Sequence, residues 1–138
     1  MYNCRFAVCA ESVVIDISTN NVSIFNIVDA IAAVGFPIGI NKLSAIFLLT
    51  REEVDPSTVD AIISVSMANE AISTHPYQID FQGTLRNRCV VTAGGIVVPG
   101  PGILKFSLTI NNAEIAAIDV AVSGPPPTLA AEAIPAPV

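Results

Sequence analysis

The only histidine and the three cysteines are the side chains of this chain that could support nucleophilic chemistry. His75 directly precedes Pro76, and no serine lies in a Gly-x-Ser-x-Gly turn. A cysteine could still pair with His75, because the members of a catalytic dyad need not be close in sequence. The position of His75 before a proline otherwise favours a loop or turn residue, and we predict no catalytic residue.

The cysteines, Cys4, Cys9 and Cys89, lack the close spacing of a metal-binding pair. An odd number of cysteines cannot all pair within one chain. Free cysteine usually behaves as a small buried apolar residue. We therefore expect three reduced thiols in the core, with no metal and no cofactor.

The densest charge lies in the segment from Arg51 to Asp55, which Asp60 follows. Carboxylate oxygens of this kind suit calcium, but the spacing of an EF-hand loop is absent. Two interpretations remain open. The segment is either a solvated loop between two strands, which we favour, or a cation site at the end of a sandwich.

Three arginines form a second group of charges. Arg86 and Arg88 would share one face of a strand, and Arg5 could lie nearby. Two arginines in line could clamp a carboxylate, because the guanidinium group binds carboxylates in a bidentate manner. The alternative is pairing with Asp80 or Asp119 across neighbouring strands.

Composition excludes several classes of function. Six basic residues against twelve acidic ones give a net charge of −6, which leaves no basic stripe for nucleic acid. A hydrophobic content of 52% argues against disorder. Charged residues interrupt the apolar stretches within about ten residues, whereas a membrane-spanning helix needs about twenty. The first residues do not resemble a secretory signal, so we expect a cytoplasmic location.

The elements that must position these residues are β-strands, because apolar and polar residues alternate with a period of two. The run Leu104, Phe106, Leu108 and Ile110, for example, alternates with polar residues. This pattern predicts an all-β fold, an antiparallel β-sandwich of eight or nine strands that is Ig-like or related. The predicted strands are 4–10, 12–17, 21–28, 43–51, 59–68, 77–82, 84–93, 102–110 and 113–122.

The connections carry further predictions. Residues 30–42 and 94–101 are long enough to cross between sheets. The short piece 96–98, which glycines and prolines flank, should lie at a sheet edge or corner. The Ala-rich run 29–34 could form a short helix. Asn111-Asn112 predicts a tight hairpin, because asparagine tolerates the left-handed conformation.

The chain divides into a sandwich domain, residues 1–123, and a Pro/Ala-rich C-terminal arm, residues 124–138. Such an arm is extended and has no core of its own. Docked on a neighbouring subunit, it would make contacts through its prolines and its larger apolar residues. The candidate subunit-contact residues are Pro125, Pro126, Pro127, Leu129, Ile134 and Val138.

Several short motifs resemble, in their order, those of a family of small bacterial proteins with no established activity. The resemblance covers about residues 5–122 and leaves out the arm. It implies a bacterial β domain and assigns no site residue. The motifs are Phe6-Ala7-Val8-Cys9-Ala10-Glu11, Ser23-Ile24-Phe25-Asn26-Ile27, Thr50-Arg51-Glu52, Asp80-Phe81-Gln82-Gly83 and Pro101-Gly102.

Low charge leads to the functional prediction. Only 13% of the residues are charged, so the solvent-facing sides of the strands are poor in charge, and large apolar surfaces usually mark interfaces. We predict a non-enzymatic, self-associating structural subunit whose partner is another copy of itself. Strands near the chain ends would be the exposed edges. The alternative is a binding module for a small ligand, a peptide or a protein, through loops 51–60 and 94–101.

Overall fold

The computed structural model describes residues 1–125 of the chain. These residues contain nine β-strands. This confirms the predicted all-β fold. No helix occurs in these residues, and so none that could cross a lipid bilayer. The strands are β1 (Asn3–Ile15), β2 (Val22–Ile27), β3 (Ala30–Ala32), β4 (Ile38–Thr50), β5 (Thr58–Met67), β6 (Glu70–Asp80), β7 (Arg86–Val98), β8 (Gly102–Ile110) and β9 (Ala113–Ser123).

The strands form two sheets that pack face to face as a sandwich. The first sheet has the order β2-β1-β4-β7, and the second sheet has the order β3-β9-β8-β5-β6. Neighbouring strands are antiparallel, except that the three-residue β3 runs parallel to β9. The predicted sandwich is therefore confirmed, with one short parallel pair in place of a wholly antiparallel arrangement.

The core lies between the sheets and follows the alternation of the sequence. In β8, Leu104, Phe106, Leu108 and Ile110 are buried, and the residues between them are partly exposed. Strand alternation sends every second side chain to one face, so these residues meet the inward residues of the first sheet. The inward residues of β4 are Leu43, Ala45, Phe47 and Leu49.

Residues 30–42 cross between the sheets, as predicted, but the expected helix at 29–34 is wrong. The chain forms β3 beside β9 in the second sheet and then returns to the first sheet as β4. The backbone N–H of Ala33 donates to the carbonyl oxygen of Ser123, and that of Ala121 to Asp29. An isolated six-residue helix is not stable in water, so sheet pairing satisfies the backbone better.

The glycine pair at 94–95 does not end a strand. Residues Ile96–Val98 continue β7 and pair with Ile38–Ile40 of β4, at the predicted sheet edge.

The start of β6 also differs from the prediction, because this strand begins at Glu70 and not at residue 77. The turn before it is Ala68-Asn69, where both residues have positive φ, and the same conformation occurs at the predicted hairpin Asn111-Asn112.

The expectation that strands near the chain ends form the edges holds only in part, because the strand order places both of them inside a sheet. β1 lies between β2 and β4, and β9 lies between β3 and β8. The edges are β2 and β7 in the first sheet and β3 and β6 in the second sheet. Parts of both strands nevertheless keep a free side, because β1 pairs with β4 only up to Ala10 and with β2 only from Ala10 onward, and β9 pairs with β3 only at Ala121–Ser123.

The predicted strands 4–10 and 12–17 form a single strand that changes partner. β1 pairs with β4 as far as Ala10, which lies opposite Ser44. From Ala10, opposite Ile27, it pairs with β2 as far as Ile15. β1 therefore leaves β4 at Ala10 and continues as a two-stranded hairpin with β2, which forms the end of the same sheet.

Candidate functional site

A hollow of about 960 Å³ lies at one end of the first sheet. Its floor includes Phe6 of β1, Leu48 of β4 and Arg88 of β7. The register of the strands places these three residues directly opposite one another in one row. They lie on the face of the sheet that points away from the core, because Phe47 and Leu49 on the other face are core residues.

The end of the β1–β2 hairpin forms another wall of this hollow. Ile15 and Asn20 line the hollow together with Phe6. The hairpin therefore curls back over the outer face of the first sheet. Ile46 also points to the outer face and is only 1% exposed, so this face is covered there as well. Ser44, the only buried polar residue of the described part, shares this face and hydrogen-bonds the hydroxyl of Thr92 at 3.1 Å.

Arg5, Arg86 and Arg88 all line the hollow. Arg5 occupies a bulge of β1 between Cys4 and Phe6, where the register shifts by one residue. Bulges redirect side chains, which explains how Arg5 joins the other two. The sequence had suggested that Arg86 and Arg88 share a face and that Arg5 lies nearby, and the lining of the hollow confirms both.

The predicted ion pairs of Arg86 and Arg88 are not formed. Within residues 1–125, none of the three arginines of the hollow makes a salt bridge or a side-chain hydrogen bond. Asp80 also lines the hollow, but its carboxylate accepts from the backbone N–H of Gln82 at 2.8 Å. Asp119 lies in the second sheet opposite Lys105.

Two loops close the end of the sandwich beside the hollow and bind each other. The Arg51 guanidinium lies 5.6 Å from the centre of the Phe81 ring. Its Nε donates to the carbonyl oxygen of Thr84 and its Nη1 to that of Asp55, both at 2.8 Å. The Thr50-Arg51-Glu52 and Asp80-Phe81-Gln82-Gly83 motifs therefore have a structural role, because they lock these loops together.

The acidic loop 51–57 binds the chain's own amino group. The ammonium of Met1 contacts the carboxylates of Glu52 and Asp55. The Met1 ammonium and then the backbone N–H of Glu52 lower the pKa of Asp55. Asp60 lies apart from these groups, in β5, beside a second hollow of about 630 Å³. No cluster of three potential metal ligands occurs among the residues that the structure describes.

His75 is not a loop residue as predicted but lies in β6, opposite Ile63. The strand tolerates Pro76 next to it because β6 is a sheet edge, where a missing N–H leaves no ladder bond broken. His75 lies within hydrogen-bonding distance of the Ser73 hydroxyl, at 3.2 Å, and contacts no cysteine through a hydrogen bond.

All three cysteines are free thiols, and they lie in strands of the first sheet. Cys9 and Cys89 are buried, as expected, whereas Cys4 is partly exposed. Burial raises the pKa of both Cys9 and Cys89 to about 12, because a buried thiolate loses its hydration. They are therefore protonated, weakly nucleophilic core residues at neutral pH.

An exposed apolar surface lies on the β1–β2 hairpin and borders the hollow at Ile15. We call its exposed apolar residues the hairpin patch. In Ile17 the side chain is fully exposed, and in the other members about half of the side chain is exposed. The hairpin patch comprises Val14, Ile15, Ile17, Phe25 and Ile27.

The backbone of β2 is unpaired along its outer edge. The backbone N–H of Asp16 donates to the carbonyl oxygen of Asn21 at 2.8 Å, so these two form a hydrogen-bonded pair. Hydrogen-bonded and non-hydrogen-bonded pairs alternate along an antiparallel ladder. The N–H and C=O groups of Val22 and Ile24 therefore point away from β1, toward the free edge.

The other three edges carry features that hinder pairing. β3 has only three residues, and β6 contains Pro76. β7 carries Arg86 and Arg88 and has a residue of positive φ, Gly95 at +64°. Short length, proline, charge and irregular backbone are the devices that protect natural sheet edges. β2, with the sequence Val-Ser-Ile-Phe-Asn-Ile, has no charge and no proline, and its one positive-φ residue, Asn26, follows the segment Val22–Phe25.

The two loops proposed for an alternative ligand site do not meet. Residue 50 at the end of β4 pairs with Arg86, and residue 38 at its start pairs with Val98. Loop 51–60 and segment 94–101 therefore lie at opposite ends of the first sheet. Of the predicted subunit-contact residues, Pro125 is exposed. Those that lie outside the described residues are Pro126, Pro127, Leu129, Ile134 and Val138.

Sequence reasoning missed Phe6, Leu48 and the curled hairpin as parts of a site. A signal was present, since residues 43–49 and 6–10 are nearly continuous apolar runs without alternation. Such runs are typical of strands that are covered on both faces. They indicate that the outer face of the first sheet is itself covered.

Comparison with known proteins agrees with the resemblance of the motifs. Residues 5–123 match a family described as a family of unknown function, DUF6941. No curated protein matches the chain. The match runs from Arg5, the third residue of β1, to the end of β9, and so covers the hollow, the hairpin patch and both sheets. The chain therefore belongs to the DUF6941 family.

Proposed function

We propose that this protein is a self-associating structural subunit and that two copies pair through the free edges of their β2 strands. The observation that carries this proposal is the unprotected edge of β2, with outward-pointing backbone groups at Val22 and Ile24. An exposed row of N–H and C=O groups is a template for another strand. No catalytic residue, metal or cofactor is needed for this role.

A second copy is the occupant that best fits this edge. Each chain carries a net charge of −6, so two copies repel unless they meet through uncharged residues. β2 is such a segment. An antiparallel strand can pair with an identical strand about a two-fold axis, and each copy then satisfies the backbone groups of the other.

The apolar side chains of β2 add to the backbone pairing. Phe25 and Ile27 are 51% and 58% exposed. Strand pairing about a two-fold axis would bring these residues of both copies to neighbouring strands, where cross-strand apolar pairs stabilise a sheet. Burying the exposed halves of Phe25 and Ile27 in both copies would contribute about 1 kcal/mol for each side chain.

The proposed assembly closes at two copies. A two-fold pairing of β2 uses the same edge on both subunits, and no further β2 edge remains. The other three edge strands are protected by Pro76, by Arg86 and Arg88, or by short length. We therefore infer a dimer and not a filament. The C-terminal arm, from Pro125 onward, would add contacts that a chain truncated after Gly124 lacks.

Sedimentation equilibrium across the micromolar range tests this proposal. We expect a monomer–dimer equilibrium for the full chain and a shift to monomer for Phe25→Lys, which adds a charge to the edge. Val97→Lys is the matched control. Val97 is 56% exposed on β7, the already protected edge of the same sheet. A monomer at all concentrations, or equal dimerisation of the full chain and both variants, would overturn the proposal.

A further inference from the structure

We propose that the hollow of the first sheet binds a small organic anion that has an apolar body. Arg5, Arg86 and Arg88 would hold its anionic head group. Phe6 and Leu48 would contact its apolar body. This inference is independent of dimerisation through β2.

The distribution of positive charge is the first argument. The chain has only six basic residues, and three of them line this one hollow. Asp80 is the only acidic residue in the lining, and its carboxylate already accepts from the backbone N–H of Gln82 and from the Thr58 hydroxyl. The hollow is therefore a local positive region on a protein whose net charge is negative, which favours an anion at this place.

The lack of partners for these arginines is the second argument. Arg51 shows how a structural arginine is used in this fold, because it donates to two carbonyl oxygens and covers the Phe81 ring. Within the described part of the chain, Arg5, Arg86 and Arg88 make no such bonds. Arg88 is moreover half-buried, and a partly desolvated charge without a partner is unfavourable. A bound anion would supply the missing acceptors.

The apolar lining is the third argument and defines the ligand class. Arg88, Leu48 and Phe6 lie side by side in one row across β7, β4 and β1. The positive charge of Arg88 therefore lies at one end of the row, and the aromatic ring of Phe6 lies at the other end. Ile15 from the hairpin adds an apolar wall. This polarity suits a carboxylate or a phosphate on a short alkyl or aryl group, and the volume of the hollow falls within the range of small-molecule sites.

Calorimetric titration with four probes tests the proposal. Octanoate and octyl phosphate carry both a head group and an alkyl chain, acetate has only the head group, and octylamine has the opposite charge. We expect saturable binding of octanoate or octyl phosphate, much weaker binding of acetate and none of octylamine. The better of the two octyl anions identifies the head group.

The variants tie binding to the hollow. Arg86→Gln and Arg88→Gln should each weaken binding of the better anion about tenfold, since each removes a charge-assisted hydrogen bond. Lys42→Gln, a basic residue near the far end of β4, should bind as the original protein does. Thermal unfolding confirms that the variants are folded. NMR amide shifts on adding the anion should concentrate at residues 48–50 and 80–88.

Three results would overturn the proposal. They are no saturable binding of either octyl anion at millimolar concentration, equal binding of octylamine, and unchanged affinity in the Arg86→Gln/Arg88→Gln double variant. Repeating the titration with Phe25→Lys separates this inference from dimerisation. We expect the anion to bind that variant with unchanged affinity.

Discussion

Phe6 and Ile15 belong to one strand, and yet both line the same hollow. A straight strand would hold them about 30 Å apart. They come together because β1 leaves β4 at Ala10 and continues with β2 as a hairpin that returns over the first sheet. This bend creates both the walls of the hollow and the free edge of β2.

Ile46 lies on the outer face of the first sheet, where it is only 1% exposed. Its neighbours across the ladder are Val8 and Val90. We expect Ile46→Ala to lower the free energy of unfolding by about 2–4 kcal/mol, as for a core residue. Ile103→Ala, at a position 50% exposed in β8, should lower it by less than about 1 kcal/mol. Urea unfolding measures both, and equal small effects would contradict the covered face.

The alternation in sequence predicted the second sheet better than the first. In β5 and β8 every second residue is buried, because one face meets the core and the other meets water. In β4, by contrast, the outward Ile46 is as buried as the inward Phe47. The period of two therefore disappears where the second face of the sheet is covered as well, and no local pattern encodes that cover.

The β5–β6 turn offers a test of backbone strain. Ala68 has φ +52°, a left-handed conformation that an alanine side chain disfavours and glycine does not. We expect Ala68→Gly to raise the free energy of unfolding by about 0.5–1 kcal/mol. Ala113→Gly, in the first position of β9, should lower it by about 0.5–1 kcal/mol. Destabilisation by Ala68→Gly in urea unfolding would contradict the described turn.

Arg51 is expected to be sensitive to a conservative change. Lysine lacks the planar guanidinium that donates from two separate nitrogens to the carbonyl oxygens of Thr84 and Asp55 and covers the Phe81 ring. We expect Arg51→Lys to lower the free energy of unfolding by about 1–2 kcal/mol. Arg86→Lys, at an exposed arginine without a bond in the described structure, should change it by less than about 0.5 kcal/mol. Equal effects of the two variants would show that the loops are not locked by Arg51.

The buried thiols predict a loss of stability at high pH. The pKa of Cys9 is raised from 9.0 to about 12 in the folded protein. Below pH 9 the thiol is protonated in both the folded and the unfolded state, so its contribution to the free energy of unfolding is fully present. Above pH 9 the unfolded state loses its proton first, so stability falls by about 1.4 kcal/mol per pH unit for this thiol.

Cys9→Ala is the comparison that isolates this effect. Above pH 9 the free energy of unfolding of this variant should fall less steeply than that of the original protein. The difference between the two slopes is the part that the Cys9 thiol adds. Urea unfolding at several pH values between 8 and 11 measures the two slopes. Parallel pH profiles would mean that the Cys9 thiol ionises as easily in the folded state as in the unfolded state.

The candidate site shows a similar division between what could and could not be predicted. Period-two reasoning placed Arg86 and Arg88 on one face, and the structure agrees. Their lack of acidic partners could not be predicted, because it depends on where Asp80 directs its carboxylate at the end of β6. The edge position of β2 likewise follows from the order of strands in the sheet, which alternation does not determine.

The most direct test of the proposed dimer is amide hydrogen exchange at β2, measured by NMR at low and high protein concentration. The N–H groups of Ser23 and Phe25 donate to β1 and should be protected at both concentrations. The N–H groups of Val22 and Ile24 face the free edge. We predict that they exchange rapidly at low concentration and become protected at high concentration. Rapid exchange of Val22 and Ile24 at both concentrations would contradict pairing of two β2 edges.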